Sequence, residues 1–216
     1  MTTLRIEIDG AQSQVAPGTT VLDAARAIGV GIPTLCFDDR QDPFGACRVC
    51  MVGVQGAPAP VASCTTPCRD GMVIDTRDPT ARRIAAATVE LVLSELPEPP
   101  DPSTELAVVA RELGIEAGQA LRWPGDVREV AQDLRHPYLV LREELCISCG
   151  RCVRACDELQ GTFALTATGR GFEASIAAGI EESFRESACV SCGACADTCP
   201  TGAITEKSLL VTPERR

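Results

Sequence analysis

The sequence predicts an α+β fold with an N-terminal β-grasp domain, a helical linker and a C-terminal domain built on a repeated cysteine motif. Three observations support this. Residues 1–78 alternate apolar and charged positions around one short helix, residues 79–140 carry apolar side chains at helical spacing, and residues 141–216 hold the same cysteine spacing twice. The predicted domains are therefore 1–78, 79–140 and 141–216.

The elements of the first domain follow from local patterning. Alternation over residues 4–8 predicts a strand, and the residues after Gly10 supply its hairpin partner. Thr19 or Thr20 caps a helix over residues 21–28. Further strands are predicted over residues 49–54, 60–63 and 72–75. A strand pair, a helix and more strands together make a β-grasp.

The middle of the chain is predicted to be helical. Asp78 and Pro79 supply an N-cap and a proline at the first helical position, so a helix begins near residue 80 and runs to Leu96. Its apolar side is predicted to include Ile84 and Leu91, and the proline-rich residues 97–102 end it. A second and a weaker third helix are predicted over residues 106–113 and 127–134. We interpret these apolar stripes as core packing.

Composition excludes several classes of protein. Acidic residues outnumber basic ones 30 to 20, which argues against a general nucleic-acid binder. No apolar run reaches the roughly 18 residues of a membrane span, and the N-terminus resembles neither a secretory signal nor a transit peptide. A cytoplasmic location is therefore expected, where disulfides are uncommon. Aromatic residues make up only 3 %, so the thirteen cysteines indicate metal that helps to hold the core.

The C-terminal cysteines form a tandem repeat: Cys146-x2-Cys149-x2-Cys152-x3-Cys156 and Cys189-x2-Cys192-x2-Cys195-x3-Cys199. This spacing is the bacterial [4Fe–4S] pattern, in which three thiolates wrap one cluster and the fourth ligates the other cluster. The expected sets are Cys146, Cys149, Cys152 and Cys199 for one [4Fe–4S] cluster, and Cys156, Cys189, Cys192 and Cys195 for the second. Zinc is the alternative, but zinc favours separated C-x2-C pairs.

The N-terminal cysteines predict a [2Fe–2S] cluster, which needs four thiolates. The expected ligands are Cys36, Cys47, Cys50 and Cys64. A loop containing Pro43 and Gly45 precedes Cys47 and allows a wrapped backbone. Cys68 is the alternative to Cys64, and otherwise a free thiol.

No catalytic or nucleotide-binding motif is recognisable in the sequence. A P-loop, G-x-S-x-G and a complete G-x-G-x-x-G are all missing, and Gly169-Arg170-Gly171 lacks the third glycine. The single histidine, His136, is interpreted as structural. Because iron–sulfur clusters exchange single electrons, three of them without a substrate site indicate an electron conduit.

The residues carry a family resemblance over nearly the whole chain. The stretches 44–50 and 63–72 resemble the N-terminal [2Fe–2S] domain shared by three enzymes. These are the large iron–sulfur subunit of respiratory NADH dehydrogenase, NAD-reducing hydrogenases and the α subunit of NAD-dependent formate dehydrogenase. Residues 146–161 look like the start of the [4Fe–4S] region of the same proteins. Residues 163–172 together with residues 189–195 are most similar to formate dehydrogenase α.

Two departures from that family matter. The family usually carries a further [4Fe–4S] cluster held by one His and three Cys, but the matching stretch, residues 96–114, contains neither residue type. We therefore expect this cluster to be missing, since His136 lies too far along to replace a ligand. Formate dehydrogenase α also continues into a molybdopterin domain, whereas this sequence ends at Arg216. The catalytic part is then expected on a separate polypeptide, or the chain belongs to a different assembly.

The resemblance implies an electron-transfer subunit of an NAD(H)-linked oxidoreductase of the formate dehydrogenase type. Its expected partners are a catalytic molybdenum, tungsten or nickel–iron subunit and a subunit that binds flavin and NAD. One alternative is the diaphorase arm of an NAD-reducing hydrogenase. Another is a free-standing ferredoxin-like carrier or redox sensor, for which the net charge of −10 would suit docking on basic patches. In a third alternative the metals only stabilise the fold and carry no electrons.

Overall fold

The computed structural model describes residues 3–116, 119, 121–128, 132–179 and 183–210. The chain forms two compact units. The first contains Met1–Phe37, Pro43–Val92 and Val108–Trp123, and the second contains Asp38–Asp42, Leu93–Ala107 and Pro124–Arg216. The three-part division at residues 78 and 140 stays a prediction, because compactness groups residues in space and does not mark domain ends.

The first unit is built on a five-stranded sheet of order β2-β1-β5-β3-β4. Its strands are β1 (Leu4–Ile8), β2 (Ala11–Val15), β3 (Met51–Val54), β4 (Val61–Ala62) and β5 (Met72–Asp75). β1 is antiparallel to β2 and parallel to β5, with Ile6 opposite both Ser13 and Met72. β3 runs antiparallel to β5 and to β4. This mixed sheet is the predicted β-grasp.

The sequence explains the start of this unit directly. Ile6 and Ile8 are fully buried on one face of β1, as the alternation predicts. Asp9 and Gly10 both have positive φ, at 52° and 86°, which suits the two-residue turn between β1 and β2. Helix α1 (Val21–Ala27) starts at Thr20, whose hydroxyl accepts a hydrogen bond from the backbone N–H of Asp23.

The predicted helices of the middle region form in part. α2 (Pro79–Ser94) begins after Asp78, whose carboxylate accepts the Ala81 N–H at 2.7 Å. Its buried residues are Ala81, Ala85 and Val89. The prediction that Leu91 lies on the buried side is wrong, because Leu91 is exposed and the small residues at i, i+4 and i+8 form the buried stripe.

The other two predicted helices differ in outcome. α3 (Glu105–Glu112) forms, and Gly114 follows it with φ of 79°. The third predicted helix does not form over its described residues, since Asp133 bridges to Leu141 instead. Val130 and Ala131, which were expected on its apolar stripe, lie outside the described residues.

The second unit contains two small sheets and short helices. β6 (Leu139–Leu141) pairs antiparallel with β9 (Ile204–Glu206), and β7 (Leu165–Thr168) forms a hairpin with β8 (Ser175–Ala178). Over residues 162–168 the sequence alternates Phe163, Leu165 and Ala167 with threonines, a pattern typical of a strand in a hairpin. α4 (Arg151–Arg154) continues as a π-helical turn over Ala155–Gln160, while α5 (Ala194–Asp197) and α6 (Lys207–Leu210) are single turns.

Cysteines form part of both hydrophobic cores. In the first unit Cys50, Cys64 and Cys68 are buried among sheet and helix residues. In the second, Cys152, Cys156 and Cys195 lie with Phe184, the largest fully buried side chain. Over the described residues, no helix is both long enough and apolar enough to cross a bilayer.

Candidate metal centres

The two repeated cysteine motifs fold into matching loops. Ser148 and Ser191 occupy equivalent positions, and both have left-handed backbones with φ of 51° and 58°. Each serine N–H donates to the sulfur two residues earlier, Ser148 to Cys146 at 3.4 Å and Ser191 to Cys189 at 3.3 Å. This conformation is rare for residues other than glycine, and it turns backbone N–H groups toward the sulfurs.

A glycine completes each loop. Gly150 and Gly193 have φ of 75° and 80° and stand immediately before α4 and α5. A side chain at either position would be strained by that backbone. Each motif therefore places its third cysteine, Cys152 or Cys195, inside a helical turn, with the first two on the loop before it and the fourth after that turn.

The first set of predicted ligands surrounds one cavity. Cys146, Cys149 and Cys152 line it together with Cys199, which comes from the second motif. The remaining wall is largely apolar and includes Leu141, Ile147, Ile176, Pro200 and Ile204. About 350 Å³ there is free of protein atoms, part of it open to solvent. Cys199 thus lies beside the three cysteines of the first motif, while the ligand assignment stays a prediction.

The second set is gathered around Cys156. The Cys156 sulfur accepts the Ala164 N–H at 3.2 Å and lies 3.2 Å from the Thr162 hydroxyl. Burial, followed by the charges of Cys189, Cys192 and Cys156, raises the pKa of Cys195 to about 12. Cys156, Cys189 and Cys195 lie in one hydrophobic cluster.

The N-terminal set lies wholly in the first unit. The Cys47 N–H donates to the Cys36 sulfur at 3.4 Å, and the Cys50 and Cys64 sulfurs are 3.3 Å apart. The hydrogen bond between Cys50 and Cys64 lowers the pKa of Cys50 to about 6 and raises that of Cys64. Cys68 is buried in the same core as Cys50 and Cys64, and burial and then Asp23 raise its pKa. The geometry favours Cys64 over Cys68.

The chemistry of these donor sets fits iron–sulfur clusters. Crowded, buried thiols resist ionisation, as the raised pKa of about 12 at Cys149 illustrates, so four thiolates together need compensating cations. Among the described residues, no three His, Cys, Asp or Glu side chains converge on one point that would hold a single ion. In a polynuclear cluster each cysteine binds a different iron or shares an iron with only one other, so its ligands do not need such convergence.

A buried polar network supports the first of these cavities. Arg151, between Cys149 and Cys152, is 4 % exposed. Its Nε donates to the Thr198 hydroxyl at 3.0 Å, and its guanidinium also pairs with Asp38 at 3.3 Å and Glu105 at 2.6 Å. Because Thr198 precedes Cys199, Arg151 links the two chain segments that line the cavity.

The network extends through Asp38. Thr198 donates to Asp38 at 2.7 Å, and Arg40 donates to it through Nε and Nη2. These Arg40 bonds hold the pKa of Asp38 far below its usual range. Arg40 also pairs with Asp197. Sequence reasoning missed Arg151, Asp38 and Thr198, because partners 47 to 160 residues apart leave no local pattern.

Comparison with known proteins agrees with this geometry. Residues 1–79 match a 2Fe-2S iron-sulfur cluster binding domain, and residues 145–203 match a 4Fe-4S dicluster domain. The chain is therefore similar to iron–sulfur subunits of NAD(H)-linked oxidoreductases. It is 32 % identical to the NADP-reducing hydrogenase subunit HndD of Solidesulfovibrio fructosivorans, over 95 % of this chain and 36 % of that protein.

Two further likenesses cover the chain. It is 29 % identical to the mitochondrial NADH-ubiquinone oxidoreductase 78 kDa subunit of Neurospora crassa, over 94 % of this chain and 28 % of that subunit. A chain in the crystal structure of a NAD+-reducing [NiFe]-hydrogenase in the H2-reduced state matches 97 % of this chain and 90 % of its own length, with a TM-score of 0.83 and 29 % identity. The chain thus spans about a third or less of these curated relatives. The resemblance to NADH dehydrogenases and hydrogenases is confirmed, while that to formate dehydrogenase α stays a prediction.

Proposed function

We propose that this protein is an electron-transfer subunit that relays single electrons within a multi-subunit NAD(H)-linked oxidoreductase. The observation that supports the proposal most is that Cys199 of the second motif lines one cavity with Cys146, Cys149 and Cys152 of the first. No catalytic residue is proposed in this chain.

The proposed ligands are those expected from the sequence. Cys36, Cys47, Cys50 and Cys64 hold a [2Fe–2S] cluster, Cys146, Cys149, Cys152 and Cys199 hold one [4Fe–4S] cluster, and Cys156, Cys189, Cys192 and Cys195 hold the other. When bound, such clusters accept and release one electron at a time. The chain's own contribution is to fix the thiolates, exclude water with apolar walls and donate backbone N–H groups to the sulfurs.

The proposed partners follow from this role. A relay without its own substrate site needs a donor and an acceptor on other subunits. One is a catalytic subunit with molybdenum, tungsten or nickel–iron, and the other is a subunit that binds flavin and NAD. The sequence resemblance favours an assembly of the formate dehydrogenase type.

The diaphorase arm of an NAD-reducing hydrogenase is the second candidate. A specific observation favours it, because the likeness to the NAD+-reducing [NiFe]-hydrogenase chain extends over almost the full length of both chains. The helix pair α2 and α3 gives the protein more surface than a small carrier needs, which favours a subunit over a free-standing ferredoxin-like carrier.

Anaerobic purification of the tagged native complex tests the proposal. We expect a flavoprotein and a metal-containing subunit to co-purify, with molybdenum or tungsten for the formate dehydrogenase type and nickel for the hydrogenase. A matched preparation of the Cys50→Ser variant controls for loss of the [2Fe–2S] cluster. Elution of the wild-type protein at its own mass, with no partner, would overturn the subunit assignment in favour of a carrier.

A further inference from the structure

The two matching loops of the second unit differ in what holds their serines. The Ser148 hydroxyl donates to the Ala174 carbonyl at 3.3 Å. The Ser191 hydroxyl instead lies 3.3 Å from Nε2 of His136. The serines have the same backbone conformation and the same N–H···S contact, so their side-chain partners are the distinguishing feature.

The contacts of His136 define its tautomer. His136 is 2 % exposed, and its ring lies 4.7 Å from the Phe184 ring, measured between centroids. Its Nδ1 accepts two backbone N–H groups, from Tyr138 at 3.1 Å and Leu139 at 2.9 Å. An Nδ1 that accepts carries no proton, so in the neutral ring the proton is on Nε2. Nε2 therefore donates, and the Ser191 oxygen accepts.

This direction decides where the two hydroxyl protons go. Ser148 commits its proton to the Ala174 carbonyl. Ser191 uses its oxygen as an acceptor for His136, so its own proton remains free for another acceptor. Ser191 lies between Cys189 and Cys192, whose sulfurs bear the negative charge of the second [4Fe–4S] site. Hydrogen bonds to cluster sulfurs raise the reduction potential.

We propose that His136 is a positioning residue that orients the Ser191 hydroxyl to donate toward the cluster held by Cys156, Cys189, Cys192 and Cys195, and so raises the potential of that cluster relative to its neighbour. The inference rests on the proposed function, since it requires that cluster. It gives the single histidine a role that its sequence position does not indicate.

The test is an anaerobic redox titration of the full chain, in its complex, followed by electron paramagnetic resonance. Ser191→Ala removes the donated proton, and Ser148→Ala is the matched control on the equivalent loop. His136→Asn keeps an acceptor for the Tyr138 and Leu139 N–H groups but is too short to reach Ser191. Cys189→Ser protein, which retains the other [4Fe–4S] cluster, assigns the two signals.

We expect Ser191→Ala to lower the midpoint potential of the assigned cluster alone, while Ser148→Ala moves neither potential. His136→Asn should shift the same cluster in the same direction. The double variant should equal Ser191→Ala, because the histidine acts through the serine. Additive shifts, or equal shifts from Ser148→Ala and Ser191→Ala, would overturn the proposal.

Two controls separate failure of this inference from failure of the proposed function. Iron and acid-labile sulfide are measured on every variant, so a protein without clusters contradicts the proposed function itself. Normal cluster content with an unmoved potential in Ser191→Ala contradicts only the role of His136. Should His136→Asn assemble poorly, the Ser191→Ala and Ser148→Ala pair still decides the direction of the hydroxyl proton.

Discussion

Replacing Arg151 with methionine tests how the first [4Fe–4S] site is held together. The change keeps much of the side-chain length but removes the hydrogen bonds to Thr198, Asp38 and Glu105. Glu105 is half exposed and regains water. Asp38 is buried and loses one cationic partner, although it keeps Arg40 and the Thr198 hydroxyl.

The expected loss of stability in Arg151→Met follows from these contacts. Removing one partner of a buried ion pair costs about 3–5 kcal/mol. Because Arg40 continues to neutralise Asp38, we expect the lower end, about 3 kcal/mol. If the pair is broken in the rate-limiting opening step, this corresponds to roughly a hundredfold faster loss of the cluster.

The assay follows bleaching of the cluster absorbance in anaerobic urea. Arg5→Met is the control, since Arg5 and Asp70 form a pair in which both side chains are more than half exposed, and such pairs contribute only about 0–1 kcal/mol. Arg151→Lys should fall between, because an ammonium cannot reproduce the planar, multiply bonded guanidinium. Equal bleaching rates for Arg151→Met and Arg5→Met would refute the account of this network.

Three further predictions concern the cysteines and the β-grasp. Cys199→Ser should disturb the [4Fe–4S] cluster of the Cys146 loop, and Cys156→Ser should disturb the [4Fe–4S] cluster of the Cys189 loop. Separate paramagnetic signals of the two clusters check this. Loss of the cluster in the variant's own motif alone would contradict the crossed ligation. Cys64→Ala should abolish the [2Fe–2S] spectrum while Cys68→Ala preserves it, and the reverse pattern would make Cys68 the ligand. Gly53→Ala should destabilise the first unit by about 1–2 kcal/mol, because the added Cβ would lie 2.7 Å from the Cβ of Asp78 and displace the cap of α2. Thermal melting compares this variant with Gly31→Ala, where an added Cβ would meet nothing within 4 Å. Equal melting temperatures of the two variants would contradict the prediction.

Local signals predicted much of this fold. Strand β5 was predicted at its observed bounds, and α1 and α3 within about one residue, because alternation, threonine capping and a following glycine are written in adjacent residues. The x2-x2-x3 spacing also predicts the crossing of Cys156 and Cys199 between motifs, and Cys199 does line one cavity with Cys146, Cys149 and Cys152. That geometry is a property of the loop and needs no distant information. The ligand sets themselves stay a prediction.

The remaining features depend on contacts distant in sequence. The β6–β9 pair joins residues 65 positions apart, such as Val140 and Thr205. Each of its strands has only three residues, so neither gives a periodic pattern. The third helix over 127–134 was predicted from spacing, yet Asp133 pairs with β6 through backbone hydrogen bonds in both directions. In α2 the helical spacing predicted Leu91 on the buried side, whereas close packing buries the smaller Ala81, Ala85 and Val89. The Arg151 network likewise needs the fold before its partners meet.

Iron and acid-labile sulfide per chain, measured on anaerobically purified protein, test the central claim most directly. Three clusters, one [2Fe–2S] and two [4Fe–4S], predict about ten irons and about ten sulfides. About fourteen irons would place a further cluster in the middle region, which has no cysteine between Arg69 and Leu145, and would contradict the ligand assignment. Zinc with little sulfide would contradict the electron-transfer function itself.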